Sequence, residues 1–450
     1  MKRTIDYFLR EWKTREHRKP LLLRGARQVG KTHAIRTLGK TFSTFIEINL
    51  ETNETARAII ERDLNVERIV FQLSELTQKP IKPGSTLLFF DEIQNTPNTI
   101  NALRYFYELM PELHVIAAGS LLDFAIEQVG IPVGRVTSLY MHPVSFVEFL
   151  VAQGHKEWVK AFLEHSPEKP LGEPLHELLL HQVGIYLAIG GMPEAVNQWI
   201  KVKQSRAVKI VHEDLIATYE QDFGKYAKQH QIKYLTLLFS KSIQQLSHKF
   251  MYARIGEYQK RELEPALELL ERAGIVTKVT RSAGLGIPIG AQADLNDFKI
   301  IFLDVGISQS LLKLDITPWF IDPLATFVNK GELVEAFVGQ EILAYADPIR
   351  KERLYYWHKE NRTSQAEVDY LIQVEDKVIP IEVKSGSSRR IKSMHLFFES
   401  HPDSPYGLRI WANNYDTEKN IRSYPLYALA KIFIDLQPEM ASAVASLLED

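Results

Sequence analysis

Cysteine is missing from all 450 residues. Without it the chain can build no disulfide, zinc finger or iron–sulfur ligation, and it has no thiol nucleophile. Long hydrophobic runs are missing too. No stretch reaches the ~18–20 apolar residues that span a bilayer. The opening segment, M-K-R-T-I-D-Y-F-L-R-E-W-K, has no apolar signal core ahead of a small-residue cleavage site. A cytoplasmic protein with no membrane partner is the expectation. Nor is there an excess of charge of one sign, since 54 Lys and Arg meet 56 Asp and Glu. That excludes attachment to nucleic acid by bulk charge alone but leaves room for a local basic patch. Repeats and low-complexity tracts are also lacking, which argues against solenoids and long linkers.

What is present is an ordinary globular composition, 45% apolar and 24% charged. At roughly 100–200 residues per domain, the length predicts about two to four domains. Charge is unevenly placed. Residues 1–40 hold twelve Lys and Arg against Asp6, Glu11 and Glu16. This reads either as a solvated helix face plus phosphate-binding residues, or as a patch for polyanions.

Residues 20–120 alternate short apolar runs, Leu21–Leu23, Phe45–Asn49, Leu87–Phe90 and Val115–Ala118, with helix-length segments. That alternation predicts a parallel sheet with helices on both faces. Residues 143–275 are mostly helical in pattern. Leu263, Leu267 and Leu270 form one helix stripe, and Gly274 sits where a helix stop belongs. Beyond it, Ile275–Thr280 and Phe298–Leu303 read as two strands around the turn S-A-G-L-G. Helices followed by a two-stranded wing predict a winged-helix unit over about residues 230–310. From about residue 325 the order is helix (Leu333–Ala344), strands (Leu354–His358, Val368–Val374, Val378–Val383), then helix from about Ile391. This predicts a small α/β domain.

The first chemical motif is Gly25-Ala-Arg-Gln-Val-Gly30-Lys31-Thr32, which fits G-x-x-x-x-G-K-S/T between a strand and a helix. The glycines let backbone N–H groups turn toward a β-phosphate. Lys31 places a charge between β- and γ-phosphates, and the Thr32 hydroxyl is a hard ligand for Mg²⁺. The helix N-terminus adds partial positive charge. Candidate nucleotide contacts are therefore Gly25, Gln28, Val29, Gly30, Lys31, Thr32 and His33. The second half is Leu87-Leu-Phe-Phe-Asp91-Glu92, an acid pair at the end of a buried strand. Asp91 is expected to hold Mg²⁺ and Glu92 to orient the attacking water. Ser120 ends another apolar strand and reads either as a contact to the γ-phosphate or attacking water, or as a simple strand-end turn. Arg135 reads either as a surface residue or as a transition-state arginine, in cis or toward a neighbouring subunit of a homo-oligomer. His176 and His181, five apart, fall ~140° apart on a helix and cannot share a metal on one face.

A second constellation lies downstream. Asp369 is followed, across twelve residues, by Glu382-Val-Lys384. On a strand Glu382 and Lys384 share a face. If Asp369 leads a neighbouring strand, the carboxylates clamp one or two Mg²⁺ ions, with Lys384 placed to activate water. Glu335 on the preceding helix completes the shell. The alternative is a strand with a solvated charged face.

At these residues the chain resembles the bacterial and archaeal AAA-type P-loop ATPases that carry the domain of unknown function 4143. The likeness rests on L-L-L-R-G-A-R-Q-V-G-K-T, L-L-F-F-D-E-I-Q, A-A-G-S, Y-M-H-P-V-S-F-V-E-F-L and I-G-G-M-P-E-A-V. It continues in F-K-I-I-F-L-D-V-G and A-E-V-D-Y-L-I … I-P-I-E-V-K-S-G, and so covers nearly the whole chain. It implies an α/β P-loop core of the ASCE type over residues 1–145, a helical lid over 146–229, a winged-helix segment over 230–310 and a restriction-endonuclease-like, PD-(D/E)xK-type domain over 325–450. By similarity, Lys31, Thr32, Asp91 and Glu92 take the nucleotide roles, and Glu335, Asp369, Glu382 and Lys384 the nuclease roles.

Two functions follow as expectations. One is an ATPase coupled to a Mg²⁺-dependent, DNA-acting nuclease domain, with Arg389, Arg390 and Lys392 leaning toward DNA. The other is an ATP-switched signalling or scaffold protein whose C-terminal domain binds a partner without cutting; near-neutral charge favours it. A small-molecule kinase fits less well, because no arginine-rich lid follows the acid pair.

Overall fold

The computed structural model describes residues 1–361, 364–386 and 391–449. Arg389 and Arg390 lie outside the described residues. Five strands, β1 (Leu21–Arg24), β2 (Thr44–Asn49), β3 (Thr86–Asp91), β4 (His114–Ala118) and β5 (Thr137–Tyr140), form one sheet in the order β2-β3-β4-β1-β5. All four neighbouring pairs are parallel. Their apolar runs suit a sheet covered on both faces. Leu87, Leu88, Phe89 and Phe90 are all fully buried. Helices fill both sides, so alternate side chains of β3 enter two cores. Leu88 and Phe90 join a core of their own with Ile46, Ile60, Ile69 and Leu103. Leu87 and Phe89 join the core that runs through the rest of the molecule. Because β4 lies between β1 and β3, the segments after these three strands emerge side by side at one sheet edge.

Residues 146–272 are mainly helical, including Glu173–Ile189, Ser205–Tyr226 and Lys260–Arg272. The remaining strands are β6 (Val276–Ser282), β7 (Ala293–Phe302), β8 (Leu354–Asn361), β9 (Ser364–Val374), β10 (Lys377–Lys384), β11 (Gly407–Trp411), β12 (Asp416–Glu418) and β13 (Ile421–Pro425). They build one sheet in the order β12-β13-β11-β10-β9-β8-β6-β7.

Here the structure differs from the sequence expectation. The β6–β7 hairpin is not a free wing. β6 runs parallel to β8, with Val279 beside Leu354 and Arg281 beside Tyr356. An apolar hairpin edge left open would expose unpaired backbone groups, and adding it to the larger sheet satisfies them. The expected boundary between residues 310 and 325 therefore cuts through one hydrogen-bonded sheet. The helix Gly331–Ala344 packs on that sheet and is apolar on nearly every side, with Leu333, Val334, Phe337, Val338 and Ile342 buried. Gly339 lets the Tyr370 ring come close, since a Cβ there would meet its hydroxyl at 2.5 Å.

The chain ends meet. Helix Thr4–Thr14 packs on helix Pro438–Leu448, and the Lys2 ammonium donates to the Glu449 carbonyl at 2.6 Å. Among the described residues no helix is long and apolar enough to cross a membrane. Much of the basic N-terminal charge is compensated internally. Arg3, Arg24, Arg27 and Arg36 pair with Glu148, Asp123, Asp222 and Glu47, and Lys31 is buried.

Candidate functional site

Backbone conformation builds the phosphate loop. Gly25, Gln28 and Gly30 take φ of 145°, 64° and 104°, left-handed turns of the kind that form anion-binding concavities. A Cβ at Gly25 would meet the Met141 carbonyl at 2.2 Å, so no other residue fits. The Val29 carbonyl accepts from Arg3 Nη1 at 3.1 Å, which ties the loop to the first helix. Gln28 and His33 are exposed.

Lys31 opens the helix Lys31–Gly39. Its ammonium is curled back on the loop and donates to the Gly25 and Ala26 carbonyls at 2.8 and 2.7 Å. Burial pushes its pKa down to about 8, against the pull of the Glu92 and Asp91 carboxylates. A buried cation held by carbonyls, inside a row of left-handed turns, can cradle phosphate oxygens. The Thr32 hydroxyl donates to Asp91 Oδ2 at 3.0 Å, so two hard oxygen ligands stand together, a donor set that fits Mg²⁺. Burial, then the neighbouring Glu92, raises the Asp91 pKa.

Glu92 follows β3 in the left-handed conformation, with φ of 53°. Its Oε2 accepts from Gln94 Nε2 at 2.5 Å and lies 3.5 Å from the Ser120 hydroxyl. Ser120 reaches it because β4 runs beside β3, with Ala117 opposite Phe90. Gln94 is the residue that motif reasoning did not single out, although it stands in the quoted D-E-I-Q stretch. It fills the space above Gly119, where a Cβ would meet its Oε1 at 2.2 Å.

Arg135 is not brought to this site within one chain. Thr137, two residues on, pairs with Leu21 at the start of β1, whereas the phosphate loop follows the other end of that strand. Arg135 instead donates to Glu108 Oε1 at 3.2 Å. The reading in cis is therefore corrected, because parallel strands put the residue at the opposite sheet edge. His176 is buried and lies 2.9 Å from the Tyr427 hydroxyl.

Two elements outside the sheet lean on the loop. The Tyr219 hydroxyl donates to the Arg27 carbonyl at 3.0 Å, and Arg27 pairs with Asp222 of the same helix. Gly274, with φ of 73°, passes so close that a Cβ would meet the Ala26 Cβ at 3.1 Å.

The downstream acids do converge on one face. In the antiparallel β9–β10 ladder Ile381 stands opposite Tyr370, which sets Glu382 opposite Asp369. The Val383 N–H donates to Asp369 Oδ2 at 2.7 Å, and the Lys384 ammonium to Glu382 Oε1 at 2.5 Å. The expected metal shell of Glu335, Asp369 and Glu382 is nevertheless not what forms. Among the described residues no group of three acidic or histidine side chains is disposed to hold a metal ion. A cation from another strand stands among them instead. Lys299 of β7, 1% exposed, places its ammonium 2.9 Å from Glu335 Oε1, 2.5 Å from Glu367 Oε1 and 3.9 Å from Asp369 Oδ1.

Burial drives the Glu335 and Glu382 pKa values up to about 8, with Asp369 adding to both. Burial works against the Lys299 ammonium, yet Glu335, Asp369 and Glu367 outweigh it and hold its pKa above the ordinary lysine value. Motif reasoning missed Lys299 and Glu367. The one available signal was a lone charge inside the apolar run Phe298–Phe302.

Three family models match the chain, one for each segment: an AAA domain over residues 17–150, the domain of unknown function DUF8612 over 181–317 and the domain of unknown function DUF4143 over 330–429. An AAA domain and DUF4143 on one chain match the AAA-type P-loop ATPases that carry DUF4143. The AAA match supports ATPase activity. The AAA model covers the phosphate loop, the acid pair and Ser120, and the DUF4143 model covers Glu335, Asp369 and the Glu382–Lys384 pair. No match was found among curated proteins.

Among solved structures, the Walker-type ATPase PABY2304 of Pyrococcus abyssi is 15% identical, with 68% of this chain and 95% of that chain covered and a TM-score of 0.44. The Aeropyrum pernix ORC1 protein in complex with DNA is also 15% identical, with 70% and 91% covered and a TM-score of 0.27.

Proposed function

We propose that ATP hydrolysis at the phosphate loop is the input of a switch whose output element is the C-terminal sheet. Lys31 would exchange its two loop carbonyls for phosphate oxygens when ATP enters. Thr32 and Asp91 are the residues that would hold Mg²⁺, which supplies charge neutralisation to the phosphates. Glu92 accepts the proton of the attacking water and orients it, while Gln94 and Ser120 fix its carboxylate. The observation that carries the coupling is Gly274 on Ala26. Gly274 directly precedes the β6 region, so a loop that reshapes around phosphate pushes on the strand that joins the hairpin to the C-terminal sheet. The test is hydrogen exchange on Glu92→Gln with and without ATP. Changed protection over residues 260–302 supports the coupling, and unchanged protection there removes it.

A second reading, Mg²⁺-dependent cutting of DNA by the C-terminal sheet, is favoured by Asp369 facing Glu382 with Lys384 on the same side, and it requires the Lys299 ammonium to leave the acids. Plasmid, linear and single-stranded DNA incubated with and without ATP and Mg²⁺ separate the two readings. Cutting that disappears in Asp369→Ala supports the nuclease. DNA left intact under every condition leaves the switch.

A further inference from the structure

The C-terminal acids gather where a metal-dependent nuclease would keep its ions, yet they do not fit one. Four carboxylates meet there: Glu335 from a helix, Glu367 and Asp369 from β9 and Glu382 from β10. Three of them turn toward one ammonium, that of Lys299. Its position has little freedom. The side chain is 1% exposed and its ammonium stands 5.0 Å from the Tyr356 ring centroid. Asp297, two residues earlier on the same face of β7, is taken by other partners. It accepts from the Tyr356 hydroxyl at 2.5 Å, lies 2.9 Å from His358 Nε2 and pairs with Lys249 at 2.9 Å. Lys299 is thus left to the Glu335, Glu367 and Asp369 side chains.

We propose that Lys299 is the resident cation of this cluster: its ammonium takes the place of a divalent ion, and the native C-terminal site is closed to Mg²⁺ and Mn²⁺. Mg²⁺ needs oxygens at ~2.0–2.1 Å in octahedral array. An ammonium within hydrogen-bond distance of the Glu335 and Glu367 oxygens, and 3.9 Å from Asp369 Oδ1, occupies the space between these carboxylates and repels a second cation at short range. The cluster keeps an unspent donor, however. Glu382 Oε2 is buried and has no hydrogen-bond partner among the described residues. With the ammonium removed, the Asp369, Glu335 and Glu367 carboxylates lose the partner that holds them in their present orientation and are free to turn, with that oxygen, into a hard-ligand set without a counter-charge. The cluster therefore turns into a divalent-cation site when Lys299 is replaced by an uncharged side chain of similar length. This inference stands whether or not ATP hydrolysis drives the sheet.

The test uses nucleotide-free, full-length protein titrated with Mn²⁺, with bound and free ion read by electron paramagnetic resonance. Wild type and Asp369→Asn are expected to bind Mn²⁺ identically. Lys299→Met is expected to gain one Mn²⁺ per chain, and either Asp369→Asn or Glu335→Gln in that background removes it. Its melting temperature rises with Mn²⁺, while the wild-type value does not. Mn²⁺ bound by wild type and lost in Asp369→Asn overturns the proposal, as does a folded Lys299→Met that gains no ion. If Lys299→Met alone fails to fold, Lys299→Met with Glu335→Gln carries one fewer uncompensated acid. Recovery of the fold then supports the resident cation, and failure to recover overturns it.

Discussion

Single side chains divide binding from chemistry at the phosphate loop. Lys31 donates to two loop carbonyls, so Lys31→Ala is expected to remove the loop's buried cation and weaken nucleotide binding, as equilibrium binding of ATP will read. Glu92→Gln keeps the size and the contact to Ser120 but loses the proton acceptor. It should bind ATP normally and turn it over about 10²–10⁴-fold more slowly in a phosphate-release assay. Wild-type turnover would take Glu92 out of the mechanism.

Glu341 offers a test by pH. Its carboxylate oxygens lie 3.0 and 3.2 Å from the Phe146 N–H that donates to them, and burial pushes its pKa up to about 8. A folded-state pKa above the unfolded one means proton uptake on folding. The stability this contributes is complete below about pH 4.5 and is lost as pH rises through about 8. Glu341→Gln keeps a carbonyl acceptor for Phe146 and has no proton to lose. Its melting temperature relative to wild type should therefore climb between about pH 5 and 8, and a flat difference would show that Glu341 is ionised throughout.

The helix Lys260–Arg272 ends before Gly274, whose φ of 73° turns the chain into β6 against Ala26. Gly274→Ala forces a Cβ into a left-handed conformation at a cost of about 1–2 kcal/mol, and presses on the phosphate loop as well. Thermal unfolding should show the first effect and weaker ATP binding the second. A loss of stability with unchanged ATP affinity would mean that the contact does not reach the loop. The same stretch explains what was legible locally. The helix stripe at Leu263, Leu267 and Leu270 and the stop at Gly274 are short-range features, and they stand where periodicity and turn chemistry put them. The pairing of β6 with β8 joins residues more than seventy positions apart, and no local pattern encodes a partner at that distance.

At the scale of the whole molecule, one apolar core runs from Ile5 to Leu447 and takes in parts of both sheets. A fragment of residues 325–450 matches the small domain suggested by the sequence but lacks β6, β7 and Lys299. It leaves β8 with an open edge and the acids Glu335, Glu367 and Asp369 without their cation. Such a fragment is expected to lack a cooperative thermal transition by near-ultraviolet circular dichroism. A sharp, reversible transition would make the C-terminal strands an independent unit.

The sequence alone determined the candidate phosphate loop, because such a loop is made by consecutive residues: Gly25, Gly30, Lys31 and Thr32 lie in backbone turns and a helix start that they themselves specify. It also determined that Glu382 and Lys384 share a face, since strand alternation is a two-residue property. Only the tertiary structure decided what those residues face. Gln94 above Gly119, Arg135 at the far sheet edge and Lys299 among the acids all depend on which strands become neighbours. That choice is made by burial of apolar surface and saturation of backbone hydrogen bonds over the whole chain, and a motif written in consecutive letters carries no record of it. A D-x₁₂-E-x-K spacing is the same whether a divalent ion or a lysine from another strand stands before it, and the fold supplies the lysine.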